Sequence, residues 1–270
     1  MSANASAAEL LATVERSPQA VAVHDRAAWV DLFAPDGRVE DPVGSRPHIG
    51  RAAIERFYDT FIGPNDIVFH VDHDVVLGAG VYRDLTLDTT MSTGVTLRVP
   101  MHLRYDLTQV GGEWKIGRLY AHWELPVMVA QLLGAGGRGL GAAVKLAPQL
   151  LGNQGVGGAL GFARGFRRVG AAGKRAATGL LEAAGRGDVA GVRAVLSPRA
   201  VVEWPVGSDV GHAEFVKRVR GLEVGKTIAA GRFVTVSVRT PTERGIAELE
   251  VDGRRVVALR GFVAEDRTVH

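Results

Sequence analysis

The sequence predicts an α+β chain built from two similar halves, and three observations carry that prediction. Sliding the 270-residue chain against itself by 163 positions sets residues 25–45 on 188–208 without a gap, with nine identities; chance gives about one or two. Each half opens with helix-type patterning and ends in strand-type patterning, the order expected when a curved antiparallel sheet wraps over helices. Between them lies a stretch whose composition differs from both.

The elements follow in order. Ala27, Val30, Leu32 and Phe33 make an apolar helical face that stops at a Pro-containing turn. Residues 38–43 read as a short strand, and Gly44-Ser45 as a turn. A helix is expected over about residues 51–61, with Ile54, Phe57, Tyr58 and Phe61 on one side. Residues 81–90, 95–109 and 113–124 are rich in Val, Leu, Thr and aromatics, and Gly111-Gly112 marks a hairpin. After a two-residue deletion the second half repeats the start of the helix at 211–215, so the expected division is 1–125, 126–178 and 179–266.

The middle stretch, 126–178, holds 13 of the 35 glycines. From Leu125 to Leu181 there are seven basic residues and no acid, which accounts for the whole net charge of +3. Such a segment reads as a Gly-rich basic linker, in part helical, or as a strip resting on an anionic membrane surface. Pro148, Gln149, Asn153 and Gln154 interrupt its longest uncharged run, so a spanning helix is not expected. The absence of cysteine excludes disulfides, thiolate metal sites and cysteine nucleophiles. So small a charge imbalance gives no reason to expect nucleic acid as a partner. The first thirty residues contain Glu9, Glu15 and Asp25 instead of an unbroken apolar run, so the expected location is cytoplasmic, with peripheral membrane contact through 126–178 as the variant.

Alternation along a strand puts Val39, Asp41 and Val43 on one face. If the valines face the core, Asp41 is a carboxylate on an apolar wall, a setting that raises its pKa and strengthens it as a base. The structural alternative is that Asp41 accepts hydrogen bonds from the turn at Gly44-Ser45. His70-Val-Asp-His-Asp74 would place His70, Asp72 and Asp74 on one face. A solvated polar face explains that alternation, and no metal or other cofactor is expected.

Val39-Glu-Asp-Pro-Val-Gly44, followed by Gly50-Arg-Ala-Ala-Ile-Glu-Arg-Phe-Tyr58, resembles the ketosteroid isomerase branch of the NTF2-like (SnoaL-like) superfamily over about residues 8–125. The resemblance implies cone-shaped domains, each a curved sheet closed over helices around a deep apolar pocket, in two tandem copies joined by the basic segment. It implies that Asp41 moves a proton between two carbons of a flat apolar ketone such as a steroid; the reaction type is a worked example of tuned carboxyl pKa values, with a Tyr and a protonated Asp holding the oxyanion. Here those two positions fall on Ser17 and Met101. Tyr58 matches a pocket Tyr and is the substitute donor. A one-residue shift would offer His102, but Met101, Leu103 and Tyr105 form the apolar side of that strand, which turns His102 outward. The implied site is Asp41 and Tyr58 for catalysis, with Val39, Val43, Phe57, Met101, Leu103 and Trp123 against the ligand. In the second half Trp204 replaces Asp41 and Val219 replaces Tyr58, so that copy is expected to be degenerate. Two further readings stay open: a non-catalytic steroid- or lipid-binding protein, and another SnoaL-like activity on a polyketide-like ligand.

Overall fold

A computed structural model describes residues 6–137 and 169–266. The N-terminal half runs α1 (Ala7–Ala22), α2 (Arg26–Asp31), β1 (Phe33–Glu40), β2 (His48–Ile49) and α3 (Arg51–Phe57), which continues as a π-helical turn over Tyr58–Ile62. Four long strands follow: β3 (Asn65–Leu77), β4 (Gly80–Met91), β5 (Thr96–Val110) and β6 (Glu113–His122), then α4 (Leu125–Gly134). The C-terminal half runs α5 (Gly170–Gly185), α6 (Val189–Val195), β7 (Leu196–Glu203), α7 (His212–Arg218), β8 (Glu223–Ala230), β9 (Phe233–Arg239), β10 (Glu243–Asp252) and β11 (Arg255–Glu265).

Helix starts are set by side-chain caps. Ser6 and Glu9 form a reciprocal capping box at α1. Asp25 and Asp188, identical across the repeat, each accept from a backbone N–H at the head of α2 and α6. Gly111 and Gly112 take positive φ in the β5–β6 hairpin, where a side chain would be strained.

The first sheet has the order β2-β1-β6-β5-β4-β3 and the second β7-β11-β10-β9-β8. In both, the strand from the helical part pairs parallel with the last strand, while the remaining long strands are antiparallel. That parallel pairing and the 13-residue β3 were not apparent in the sequence, because polar residues on β3 mask its period. The strand expected over 38–43 is displaced: it starts at Phe33 and stops at Glu40, since Pro42 has no N–H for a ladder.

Both ends of the stretch read as linker, 126–178, are helical and belong to the two halves. Met128 and Val129 of α4 join the first core, whereas Ala177, Leu180 and Leu181 of α5 are buried in the second. Lys174 of α5 donates to Glu124 beside α4 at 2.6 Å, drawing the two ends together. Among the described residues the helix that packs on the second core spans Gly170–Gly185, across the expected boundary at 179. Residues 138–168, the centre of the basic segment, lie outside the described residues. No helix among the described residues is long and apolar enough to cross a membrane.

Each sheet wraps its helices with one face and meets the other sheet with the opposite face. On β4, Val81 and Leu85 enter the first core while Tyr82 and Asp84 enter the interface; on β5, Leu103 and Tyr105 point in while His102 and Arg104 point out. His102 is thus outward from its own core, as the alternation predicts, yet fully buried by the second sheet. Its ring closes a hydrogen-bond circuit. Ser237 Oγ donates to Asp84 Oδ2 at 2.5 Å, leaving it to accept from His102 Nε2 at 3.0 Å, and Thr235 Oγ1 donates to Nδ1 at 2.7 Å. Lys226 Nζ reaches Asp84 at 2.5 Å and Asp72 at 3.0 Å.

Candidate active site

Pro42 ends β1, so the chain turns at residues 41–45, and two backbone bonds set how. Val43 N–H donates to Ala121 O at 2.8 Å, and Gly44 N–H donates to the Glu40 carboxylate at 2.9 Å. Glu40, not Asp41, therefore holds the turn, and Asp41 is left to face inward. Its Oδ1 accepts from Trp123 Nε1 at 2.5 Å.

Asp41 sits on the wall of a cavity enclosing about 1120 Å³ of empty space, counting its open mouth. The lining is almost wholly apolar: α1 gives Ser17 and Val21, α2 gives Trp29, α3 and its π-helical turn give Phe57, Phe61 and Ile62. The sheet adds Leu87, Met91, Leu97, Val99, Met101, Leu103, Tyr105 and Leu119, among others. Withdrawal from water disfavours a carboxylate, whereas the Trp123 N–H favours it. Burial is the larger effect, and the Asp41 pKa is pushed up to about 6. At neutral pH the group is a carboxylate of increased basicity with one hydrogen-bond partner among the described residues, a state suited to taking a proton from a weakly acidic C–H.

The hydroxyls in this wall are few. Trp29 Nε1 donates to Ser17 Oγ at 3.0 Å, and Ser17 in turn interacts with Tyr105, whose pKa burial lifts to about 12. Ser17 and Tyr105 thus present neutral hydroxyl groups to an apolar space.

Of the residues the sequence placed at the site, Asp41, Phe57, Met101, Leu103 and Trp123 line the cavity together. Val39, Val43 and Tyr58 are buried but are not among the lining residues. The Tyr58 hydroxyl has no hydrogen-bond partner among the described residues. Its ring lies 5.6 Å from Trp29 and against Gly63, behind the wall that Trp29 and Phe57 form. Tyr58 thus stands apart from the residues that line the cavity, and the alternation of a regular helix does not anticipate the π-helical turn that begins there.

Met128 and Leu132 were missed. They come from α4, in the glycine-rich stretch, and close one end of the cavity. Their signal was an i,i+4 spacing within Leu125-Pro-Val-Met-Val-Ala-Gln-Leu-Leu133, outweighed by the glycines that follow. β5 extends past the last β6 pair, His102 with His122, and so leaves backbone groups open on that side. Gln131 takes up one such pair, accepting from Arg98 N at 3.1 Å and donating to Arg98 O at 2.9 Å.

The remaining candidates are dispersed. His70 pairs with Asp88, Asp72 with Lys226, and Asp74 with Arg83. Among the described residues no group of three or more His, Cys, Asp or Glu side chains is arranged to hold a metal. In the second half Trp204 is buried, packs on Phe215 at 5.5 Å and presses against Gly261, where even a Cβ would clash with its ring.

Comparison with known proteins places the N-terminal half. Residues 14–115 match the model of the SnoaL-like domain. A steroid Delta-isomerase of Nocardioides simplex is 50% identical over 56 residues, 21% of this chain and 46% of that protein. The chain thus spans about half the length of that relative. Among solved structures, the Delta 5-3-ketosteroid isomerase from a Mycobacterium species is 28% identical, with 44% of this chain and 95% of that one covered at a TM-score of 0.40. A Mycobacterium tuberculosis protein in complex with estradiol-17beta-hemisuccinate is 24% identical at the same coverage and TM-score. Residues 14–115, which include most of α1, α2, β1, α3 and the strands from β3 to the start of β6 around the Asp41 cavity, are thus similar to a SnoaL-like domain, whereas α4 lies beyond the matched stretch.

Proposed function

We propose that the N-terminal half is an isomerase-like enzyme that moves a proton between two carbons of a flat, apolar ketone, with Asp41 as the base. The carrying observation is the Asp41 carboxylate, raised to about 6, in an apolar cavity with a single N–H donor against it. The Asp41 carboxylate removes a proton from the carbon next to the carbonyl, leaving an enolate and a neutral carboxyl group. The same proton then returns to a carbon farther along the conjugated system, and the carboxylate is restored. No oxidant, metal or water is consumed. The oxygen that becomes negative needs hydrogen-bond donors; Ser17, Tyr105 and Thr89 are the lining hydroxyls, and the linked Tyr105–Ser17 pair, with one proton left to give, serves in place of Tyr58. The partial match to a steroid Delta-isomerase supports a steroid-like substrate.

Met101, where an acid donor is expected, favours a second reading. An apolar wall without that donor binds a ligand well and stabilises an oxyanion poorly, which describes a steroid- or lipid-binding protein, or a SnoaL-like domain acting on a polyketide-like ligand. We read the C-terminal half as a degenerate copy whose pocket is filled by Trp204.

Conversion of a 3-keto-Δ5-steroid to its conjugated isomer, followed by absorbance, separates the readings. Asp41→Asn should lower the rate on the order of 10²–10⁴-fold while leaving steroid binding near the wild-type level, because the base is lost and the volume kept. Binding without turnover in the wild type would favour the second reading.

A further inference from the structure

Residues that hold the same place in the two sheets can be matched by register alone. Val39 and Val202, identical across the repeat, pair with Leu119 and Leu259. Stepping along the ladders from there matches His122 with Phe262, Arg104 with Glu248, and His102 with Ile246. One strand farther, Tyr82 matches Thr235. Both ladders bulge at the same step, after Asp106 in one sheet and after Glu250 in the other.

With these matches, the contacts between the sheets come in mirrored pairs. His102 bonds Thr235 at 2.7 Å, and their counterparts Ile246 and Tyr82 pack in one buried cluster. His122 lies 3.7 Å from Glu248, and their counterparts Phe262 and Arg104 form a cation–π contact at 5.0 Å. Whole strands repeat the relation, since β3 on β11 is answered by β8 on β6, and β3 on β10 by β8 on β5. Arg104 and Glu248 are each other's counterparts and lie 3.5 Å apart. A residue meets its own counterpart only at a two-fold axis.

We propose that the two sheets meet about a pseudo-two-fold axis at the Arg104–Glu248 pair, and that this face of the N-terminal sheet accepts the C-terminal sheet of the chain and rejects a second copy of itself. Two N-terminal faces docked the same way would set Arg104 against Arg104, and two C-terminal faces would set Glu248 against Glu248. Asp106 holds Arg104 at 2.9 Å on its own strand, but either meeting still sets like charges against each other at the centre of the interface, a cost that discriminates between partners. The mirrored pairs have diverged in the same sense, with an imidazole in one sheet and an apolar side chain in the other. The inference rests on the equivalence of the two halves and is independent of the isomerase reading.

Thermal unfolding of full-length variants tests it. Arg104→Glu and Glu248→Arg, made singly, each recreate at the axis the like-charge meeting of two identical faces. Each should lower the unfolding midpoint by about 10 °C or more. The double exchange should recover part of that loss, because the new carboxylate at 104 then lies over the Phe262 ring and the new guanidinium beside His122. Adding His122→Phe and Phe262→His exchanges the neighbours too, so the fourfold variant should unfold later than the double. An ordinary ion pair away from an axis gives no such further gain. A double variant no more stable than the worse single, or a fourfold variant that unfolds no later than the double or fails to fold, overturns the proposal. If neither single variant folds, the comparison of double with fourfold still decides.

Discussion

Asp41 carries opposite consequences for stability and for activity. Its carboxyl has a folded pKa of about 6 against an ordinary 3.8, so the folded chain holds the proton more tightly than the unfolded one. The charge therefore costs nothing below the unfolded pKa, and its full cost is reached as pH rises past about 6, where it amounts to about 3 kcal/mol. Asp41→Asn should accordingly raise the unfolding midpoint at neutral pH by several degrees, measured by scanning calorimetry, even as it removes activity. Trp123→Phe acts in the other direction on the same group. Without the indole N–H the carboxylate loses its one partner among the described residues, and the midpoint of the pH–rate profile should move upward from about 6. An unchanged midpoint would mean that the indole does not tune the base. The alternation of Val39, Asp41 and Val43 pointed to Asp41 as an inward carboxylate, but the strand stops at Glu40 and Asp41 reaches the cavity from the turn that follows, with Val39 and Val43 outside its lining. That Glu40 would take the Gly44 N–H was not legible, since either carboxylate is close enough in sequence to do so.

At the scale of elements, α4 is the part of the cavity that the sequence concealed. Helix propensity is weak where glycines follow so closely, and what stabilises α4 is tertiary: Met128 and Leu132 on the cavity, and the Gln131 amide on the open edge of β5. Met128→Ala or Leu132→Ala should weaken binding of an apolar ligand by roughly tenfold, at about 0.8 kcal/mol for each methylene no longer covered. Titration with a steroid, read by tryptophan fluorescence, checks this. Gln131→Ala should produce a smaller loss of the same kind, since it loosens the helix without opening the wall. The helix over about 51–61 and the strands near β4, β5 and β6 were readable from their periods, whereas β3 was not. Its polar residues are half-exposed, as at His70 and Asp72, and yet some pair with groups on other elements, as Asp74 does with Arg83 and Asp72 with Lys226, so the pattern reads as a solvated face more readily than as a long strand.

The whole molecule is held by buried polar chemistry between two sheets, and that makes it sensitive to acid. His122 is held neutral by burial, its pKa pushed down to about 3, and burial lowers that of His102 as well. Asp84 is held well below the usual carboxylate range: burial opposes this, but hydrogen bonds and charge from His102, Lys226 and Ser237 outweigh it. For a histidine kept neutral in the fold, stability is complete above the unfolded value of about 6.5 and falls as pH drops below it, because the unfolded chain binds the proton first. Asp84 adds a second loss as pH falls below its unfolded pKa. In Asp41→Asn, where the opposing contribution of that carboxyl is removed, unfolding midpoints should therefore decline from about pH 6.5 downward, and adding His122→Phe should flatten the first part of that decline.

The repeat at an offset of 163 residues predicts two like halves, and the described residues form two sheets of similar strand order; the lining of the face between them was invisible in the repeat, because the positions matched there differ in nearly every side chain. What the N-terminal cavity does is tested most directly by the pH dependence of 3-keto-Δ5-steroid conversion by the wild type and by Asp41→Asn. The expected result is a wild-type rate that rises with pH through a midpoint near 6 and levels off, and a variant rate at least about 100-fold lower at every pH. Equal rates for the two proteins, or a wild-type rate with no rise through that range, would contradict Asp41 as the base.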